Sequence, residues 1–202
     1  MSGLLPEGAK RLFDLDAGIR AEADQVLAQS GLGETIRREG FQPVGSYVMR
    51  TMTWRDLDFE RIEDPPDWDR HWALGASLAK SPWAWKLHCT DAYRDPRGLE
   101  DRGLYWGLRV SDPRGGPIWK LDLWTARVTE FERGSPKRAE WTRKLTDEAR
   151  LRILAIKESV CNSPDYRKNI LSVHIYEAVL DHGIREADEF QAWWTARYEG
   201  RA

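Results

Sequence analysis

The chain has 202 residues, enough for one sizeable domain or a pair of subdomains sharing a core. Hydrophobic residues at 41% and charged residues at 32% exclude a disordered chain, and 31 Lys plus Arg against 33 Asp plus Glu leave a formal charge of -2, which excludes a global field for nucleic acid or anionic lipid. No apolar stretch approaches the roughly twenty residues of a membrane span, no basic-then-apolar leader is evident, and Cys89 and Cys161 form no CxxC pair; the expectation is a cytoplasmic protein without a disulfide framework or thiolate zinc site.

From the N-terminus, Leu12, Leu15, Ile19, Val26 and Leu27 recur at helical spacing, predicting an amphipathic helix over 6–29. A short helical piece, Glu34 to Glu39, follows Gly31 and Gly33. Phe41 to Val44 reads as a brief strand stopped by Gly45-Ser46. Tyr47 to Trp54 predicts one or two helical turns, and Asp56 to Phe59 alternates like a strand. Asp67 to Lys80 predicts a helix ended by Ser81-Pro82, because the residue before proline is pushed out of the α region. Trp83 to Cys89 is expected to be a further strand.

The clearest pairing signal comes next. Leu104 to Val110 and Ile118 to Trp124 flank the turn residues Asp112 to Gly116 and predict a β-hairpin. From 137 the character becomes helical: Arg138 to Lys144, then a helix capped by Thr146, then one started by Ser163-Pro164 and stopped by Gly183, and a last from Glu186 to Tyr198. The eleven tryptophans read first as a large aromatic core and second as a stacking surface for bases.

One constellation can carry chemistry. In a strand, residues i and i+2 face the same way, so Asp56 and Asp58 present two carboxylates about 7 Å apart along one face. Two-metal phosphoryl chemistry needs such oxygen ligands. Upstream, Gly45 removes a side chain where a phosphate must come close, and Ser46 offers a hydroxyl and a backbone N–H. Asp122, between Leu121 and Leu123, completes a carboxylate triad if its strand lies beside that of Asp56 and Asp58, either as a metal ligand or as a proton acceptor. Asp91 and Asp95 are rival third ligands. The plain alternatives are a solvated Asp56/Asp58 pair and an Asp122 that simply pairs with Lys120 or an arginine.

Gly45-Ser46, Asp56-Leu57-Asp58-Phe59 and the later Asp122 together resemble the nucleotidyltransferase superfamily of DNA polymerase beta, the minimal nucleotidyltransferases and the antibiotic-adenylating enzymes. The run Met52 to Asp58 is similar to a small bacterial branch whose acceptors are largely unassigned. The resemblance implies an α+β (mixed α/β) fold: a mixed sheet flanked by helices over 1–130 and a helical C-terminal subdomain over 131–202. It further implies two Mg2+ ions and transfer of a nucleoside monophosphate from an NTP, with ATP the default, to a hydroxyl acceptor with loss of pyrophosphate. Asp56, Asp58 and Asp122 would be the catalytic and metal-binding residues, and Gly45, Ser46, Arg55, Lys157, Tyr166 and Ser172 the nucleotide-binding ones.

The acceptor is open between a small molecule, a protein hydroxyl and a tRNA end, with net charge not favouring nucleic acid. The basic residues from Arg133 to Arg152 are read first as a solvated helix face and second as a surface for triphosphate or RNA. His174 and His182, eight apart on one predicted helix, lack the spacing of a metal pair and receive no chemistry. The rival from another class is a catalytically inactive relative that binds a nucleotide or a partner protein.

Overall fold

The computed structural model describes residues 6–95, 103–161 and 169–198. Their elements run α1 (Pro6–Gln29), α2 (Leu32–Arg38), β1 (Gln42–Val44), α3 (Gly45–Met49), β2 (Asp56–Ile62), α4 (Trp68–Leu78), β3 (Ala84–Asp91), β4 (Leu104–Val110), β5 (Trp119–Ala126), α5 (Val128–Lys144), α6 (Asp147–Val160), α7 (Ser172–His182) and α8 (Ala187–Tyr198). The chain divides into two compact units. Residues 18–136 form one, and the flanking segments, up to Ala17 and from Lys137, form the other.

The first unit is built on a five-stranded sheet ordered β1-β2-β5-β4-β3. β2 and β5 run parallel while every other neighbour is antiparallel, so the sheet is mixed. A parallel pair needs a crossover, and here α4, β3 and β4 all intervene between its two strands. The predicted hairpin is present as β4 and β5, joined through Asp112 to Gly116, where Gly115 and Gly116 both adopt positive φ.

Alternation sorts the sheet into two faces. Leu57, Phe59, Leu121, Leu123 and Leu108 are buried on one, each large apolar side chain contributing about 1.5–3 kcal/mol. Helix α4 packs there. Asp67 caps it by accepting from the Arg70 amide, and Gly75 leaves room for the Trp106 ring, which would stand 2.1 Å from an added Cβ. The other face carries Asp56, Asp58, Lys120, Asp122, Tyr105 and Trp124.

In the helical unit, Thr146 caps α6 by accepting from the Ala149 amide at 3.1 Å, and Gly183 ends α7 in the left-handed conformation. Ile153, Leu154 and Ile156 of α6, Ile175 and Ala178 of α7, and Phe190 of α8 are buried. Basic side chains of this region are held in ion pairs: Lys137 and Lys144 with Asp181, Arg150 with Asp147, and Arg152 with Glu148. No helix among the described residues is long and apolar enough to cross a membrane.

Several boundaries differ from the sequence expectation. β3 continues to Asp91 because Thr90 and Asp91 keep pairing with Tyr105 and Leu104. α5 starts at Val128 and encloses Pro136, whose ring costs the helix one N–H donor yet has a φ that suits it. α7 begins at Ser172; the predicted start at Ser163-Pro164 lies outside the described residues, and Asn169 to Leu171 are not helical. The tryptophans are split between roles: Trp119 is fully buried, whereas Trp72 and Trp85 are 53% and 55% exposed.

Candidate metal centre and phosphate cradle

Strand β2 alternates half-buried Asp56 and Asp58 with buried Leu57 and Phe59, so the apolar residues fix which face the carboxylates take. The parallel register sets Asp56 opposite Lys120 and Asp58 opposite Asp122. The condition for a carboxylate triad is therefore met: one oxygen from each of Asp56, Asp58 and Asp122 lies within 4.8 Å of the other two. No second group of three His, Cys, Asp or Glu residues of this kind occurs among the described residues.

Three carboxylates so close repel unless a cation joins them. In the structure Lys120 supplies such a cation to two of them. Its Nζ donates to Asp122 Oδ2 and lies 3.4 Å from Asp56 Oδ2. Burial pushes the Lys120 ammonium down, but Asp56 and Asp122 outweigh it and the net shift is upward, so the group stays charged. The other oxygen of Asp122 accepts from the Tyr105 hydroxyl at 2.8 Å. Burial, reinforced by Asp122, pushes the Tyr105 phenol up and keeps it a donor. Gly107 stands opposite Asp122 in β4, and a Cβ there would meet the Tyr105 oxygen at 2.3 Å and His88 Cε1 at 2.2 Å. The missing side chain at 107 is what lets Tyr105 reach Asp122.

On the other flank, Val44 of β1 pairs with Asp58, which brings the start of α3 against the cluster. Gly45 has φ +67°, and a Cβ built on it would lie 2.9 Å from Asp58 Oδ2. A glycine is required there on both counts. Ser46 follows it as the second residue of α3, and its carbonyl accepts from the Thr51 amide at 3.0 Å.

The remaining expected residues are placed as follows. Arg55 grips Glu22 of α1 through Nε and Nη2 at 2.7 and 2.9 Å, and Trp119 Nε1 donates to the same carboxylate at 3.1 Å. Lys157 is fully buried in the helical unit and donates to the Tyr176 hydroxyl at 3.0 Å, and Ser172 opens α7 in that unit. Tyr166 lies outside the described residues. Asp91 pairs with Leu104 on β3 and accepts from Trp68 Nε1 at 3.0 Å and the Tyr93 amide at 3.1 Å, so it serves the loop and α4, and Asp95 likewise stands outside the cluster. His174 accepts from Trp194 Nε1 at 3.2 Å and stacks on Tyr198, and His182 faces Glu177. Both histidines are structural groups of the helical unit.

Tyr105, Gly107 and Lys120 were not assigned to the site from sequence, beyond Lys120 as a plain partner of Asp122. The signal that would have found them is cross-strand register, which no local pattern prints.

The arrangement is chemically specific. An all-oxygen donor set of converging carboxylates suits a hard divalent ion such as Mg2+, the Lys120 ammonium already stands where positive charge is wanted, and Gly45 leaves free the space beside Asp58 that a side chain would fill. The residues present fit the metal.

No family model matches the chain, and no curated protein matches it. Among solved structures it is similar to that of the non-canonical poly(A) polymerase complex GLD-2–GLD-3, with a TM-score of 0.56 and 11% sequence identity. The likeness covers 100% of this chain, which spans 66% of that chain's length. At this identity it speaks for the fold: a mixed α/β chain with a five-stranded mixed sheet, of the nucleotidyltransferase-like kind.

Proposed function

We propose that the chain is a divalent-metal-dependent nucleotidyltransferase that moves a nucleoside monophosphate from an NTP, ATP being the first to try, to a hydroxyl acceptor with release of pyrophosphate. The observation that carries this reading is the convergence of Asp56, Asp58 and Asp122 within 4.8 Å beside a glycine that cannot bear a side chain. The likeness in fold to a poly(A) polymerase supports it.

In this reading Asp56, Asp58 and Asp122 would hold Mg2+, two ions by the family pattern, and Gly45 and Ser46 would take the triphosphate. Bound there, the metal supplies charge neutralisation at the phosphates and a lowered pKa for the attacking hydroxyl. The chain's own part is positioning and electrostatics. Asp122, fixed by Tyr105 on one oxygen, either helps to hold the ion or accepts the acceptor's proton. Arg55, Lys157, Tyr166 and Ser172 remain proposed nucleotide contacts. Because Lys137, Lys144, Arg150 and Arg152 are already ion-paired, a small molecule or protein acceptor suits this chain better than a tRNA end.

A second reading, a nucleotide-binding or protein-interaction module without catalysis, draws on Lys120, whose ammonium neutralises the carboxylates as a metal would. Calorimetric titration of the four ribonucleoside triphosphates with and without Mg2+, on the wild type and on Asp56→Asn/Asp58→Asn, separates the two. Magnesium-dependent binding lost in the variant is expected. Binding that ignores both magnesium and the substitutions favours the module, and no binding to the wild type removes the transferase reading.

A further inference from the structure

Lys120 is the one basic residue of β5, and its ammonium reaches two of the three carboxylates of the cluster. Strand alternation puts it on the same face as Asp122, and the parallel register puts it directly opposite Asp56. Its far neighbour on that face is Arg109 of β4, in register across the antiparallel pair. A like charge on one side and two carboxylates on the other aim the ammonium at the cluster. The side chain is 28% exposed, so water reaches it and the ammonium has a route out.

The same oxygens serve two masters. Asp122 Oδ2 and Asp56 Oδ2 receive the ammonium, and Asp56 and Asp122 are two of the three carboxylates available to a divalent ion. With Tyr105 holding Asp122 Oδ1, both oxygens of Asp122 are engaged within the chain. Each oxygen keeps a second lone pair, so a metal at Asp122 need not break these bonds, but it must stand close to the Lys120 ammonium, whose like charge opposes it. Tyr105 is buried and lies over Gly107, whereas Lys120 ends a flexible four-carbon stem with a water-accessible head.

We propose that Lys120 is the resident counter-ion of the carboxylate cluster: its ammonium holds Asp56 and Asp122 together in the metal-free protein and gives way when a divalent cation binds. The inference rests on the reading of the cluster as a metal centre. Its consequence is a metal site held weak until a triphosphate brings further negative charge, at which point the displaced ammonium remains beside Arg109 as a second cation for phosphate. Loading of metal and nucleotide is thereby coupled through one side chain.

The test is Mn2+ binding by electron paramagnetic resonance on the nucleotide-free wild type, Lys120→Met and Lys120→Arg. Removing the competing charge is expected to tighten Mn2+ binding by about tenfold or more in Lys120→Met, with Lys120→Arg close to the wild type. Mn2+ binding in Lys120→Met no tighter than in the wild type overturns the proposal. If no protein binds Mn2+ with or without an NTP, the metal-centre reading fails and this inference with it.

A measurement on the unaltered protein guards against a misfolded variant. The side-chain signal of Lys120, identified by its loss in Lys120→Arg, is expected to broaden or move when Mg2+ and NTP are added. A signal unchanged at saturating metal shows that Lys120 does not yield its place.

Discussion

The Tyr105 hydroxyl donates to Asp122 Oδ1 at 2.8 Å across the spot where Gly107 carries no side chain. The bond joins β4 to β5 on the face that bears the carboxylates, and it orients Asp122 independently of Lys120. An aromatic pair backs it, since the Tyr105 ring lies 4.7 Å from that of Trp124.

Tyr105→Phe keeps that ring contact and removes the donor. A hydrogen bond to a charged group contributes about 1.5–3 kcal/mol, so the variant should unfold at lower urea by an amount in that range. Turnover should fall further than NTP affinity, because Asp122 is misoriented while Gly45 and Ser46 are untouched. Equal loss in kcat and in NTP binding would instead mark Tyr105 as a packing residue.

Gly45→Ala meets two penalties at once. The left-handed backbone at φ +67° costs a residue with a Cβ about 1–2 kcal/mol, and the added methyl stands 2.9 Å from Asp58 Oδ2. Denaturant midpoints should report the strain, and calorimetry should report loss of magnesium-dependent NTP binding. Gly31→Ala is the control: it shares the positive φ but has nothing within 4 Å of an added Cβ, so it should lose stability and keep the ligand.

His71 is expected to contribute to the acid response of the sheet unit. It is 1% exposed, stacks on Trp106 at 5.5 Å and sits 3.3 Å from Cys89 Sγ. Burial, helped by the nearby Arg61 charge, pushes its pKa down from 6.5 to about 4. A folded value below the unfolded one means that protonation favours unfolding: the stability is whole above the unfolded pKa and drains away as pH falls toward 4. The shift corresponds to about 3 kcal/mol. Urea midpoints measured from neutral pH down to about pH 4 should show that loss in the wild type and much less of it in His71→Gln. Parallel curves for the two proteins would place the acid sensitivity elsewhere.

What could be read from the chain follows from how far apart its signals act. The β4–β5 hairpin was legible because turn residues Asp112 to Gly116 and two alternating runs lie within a few positions of one another. Thr146 and Gly183 were legible as helix ends for the same reason. The parallel pairing of β2 with β5 was only a condition attached to Asp122, since nothing local states which strand will lie beside Asp58. The placing of Lys120 opposite Asp56 depends on that register, and so escaped; Tyr105 depends instead on the exact register within the β4–β5 hairpin, which the turn residues alone do not state. Arg55 is a nucleotide contact only through the family resemblance; its partner Glu22 arrives from α1, 33 residues away, and no local pattern announces it.

The parallel pair β2–β5 joins residues 64 positions apart, with α4, β3 and β4 made in between. Closing so long a loop is among the slower events of folding, because its entropy is spent before its contacts form. Until that pairing forms, Asp56 and Asp58 share a strand without Asp122 beside them. A chain stalled before that step would carry two of the three carboxylates and no Lys120 to neutralise them, so a half-folded molecule has no centre with which to act.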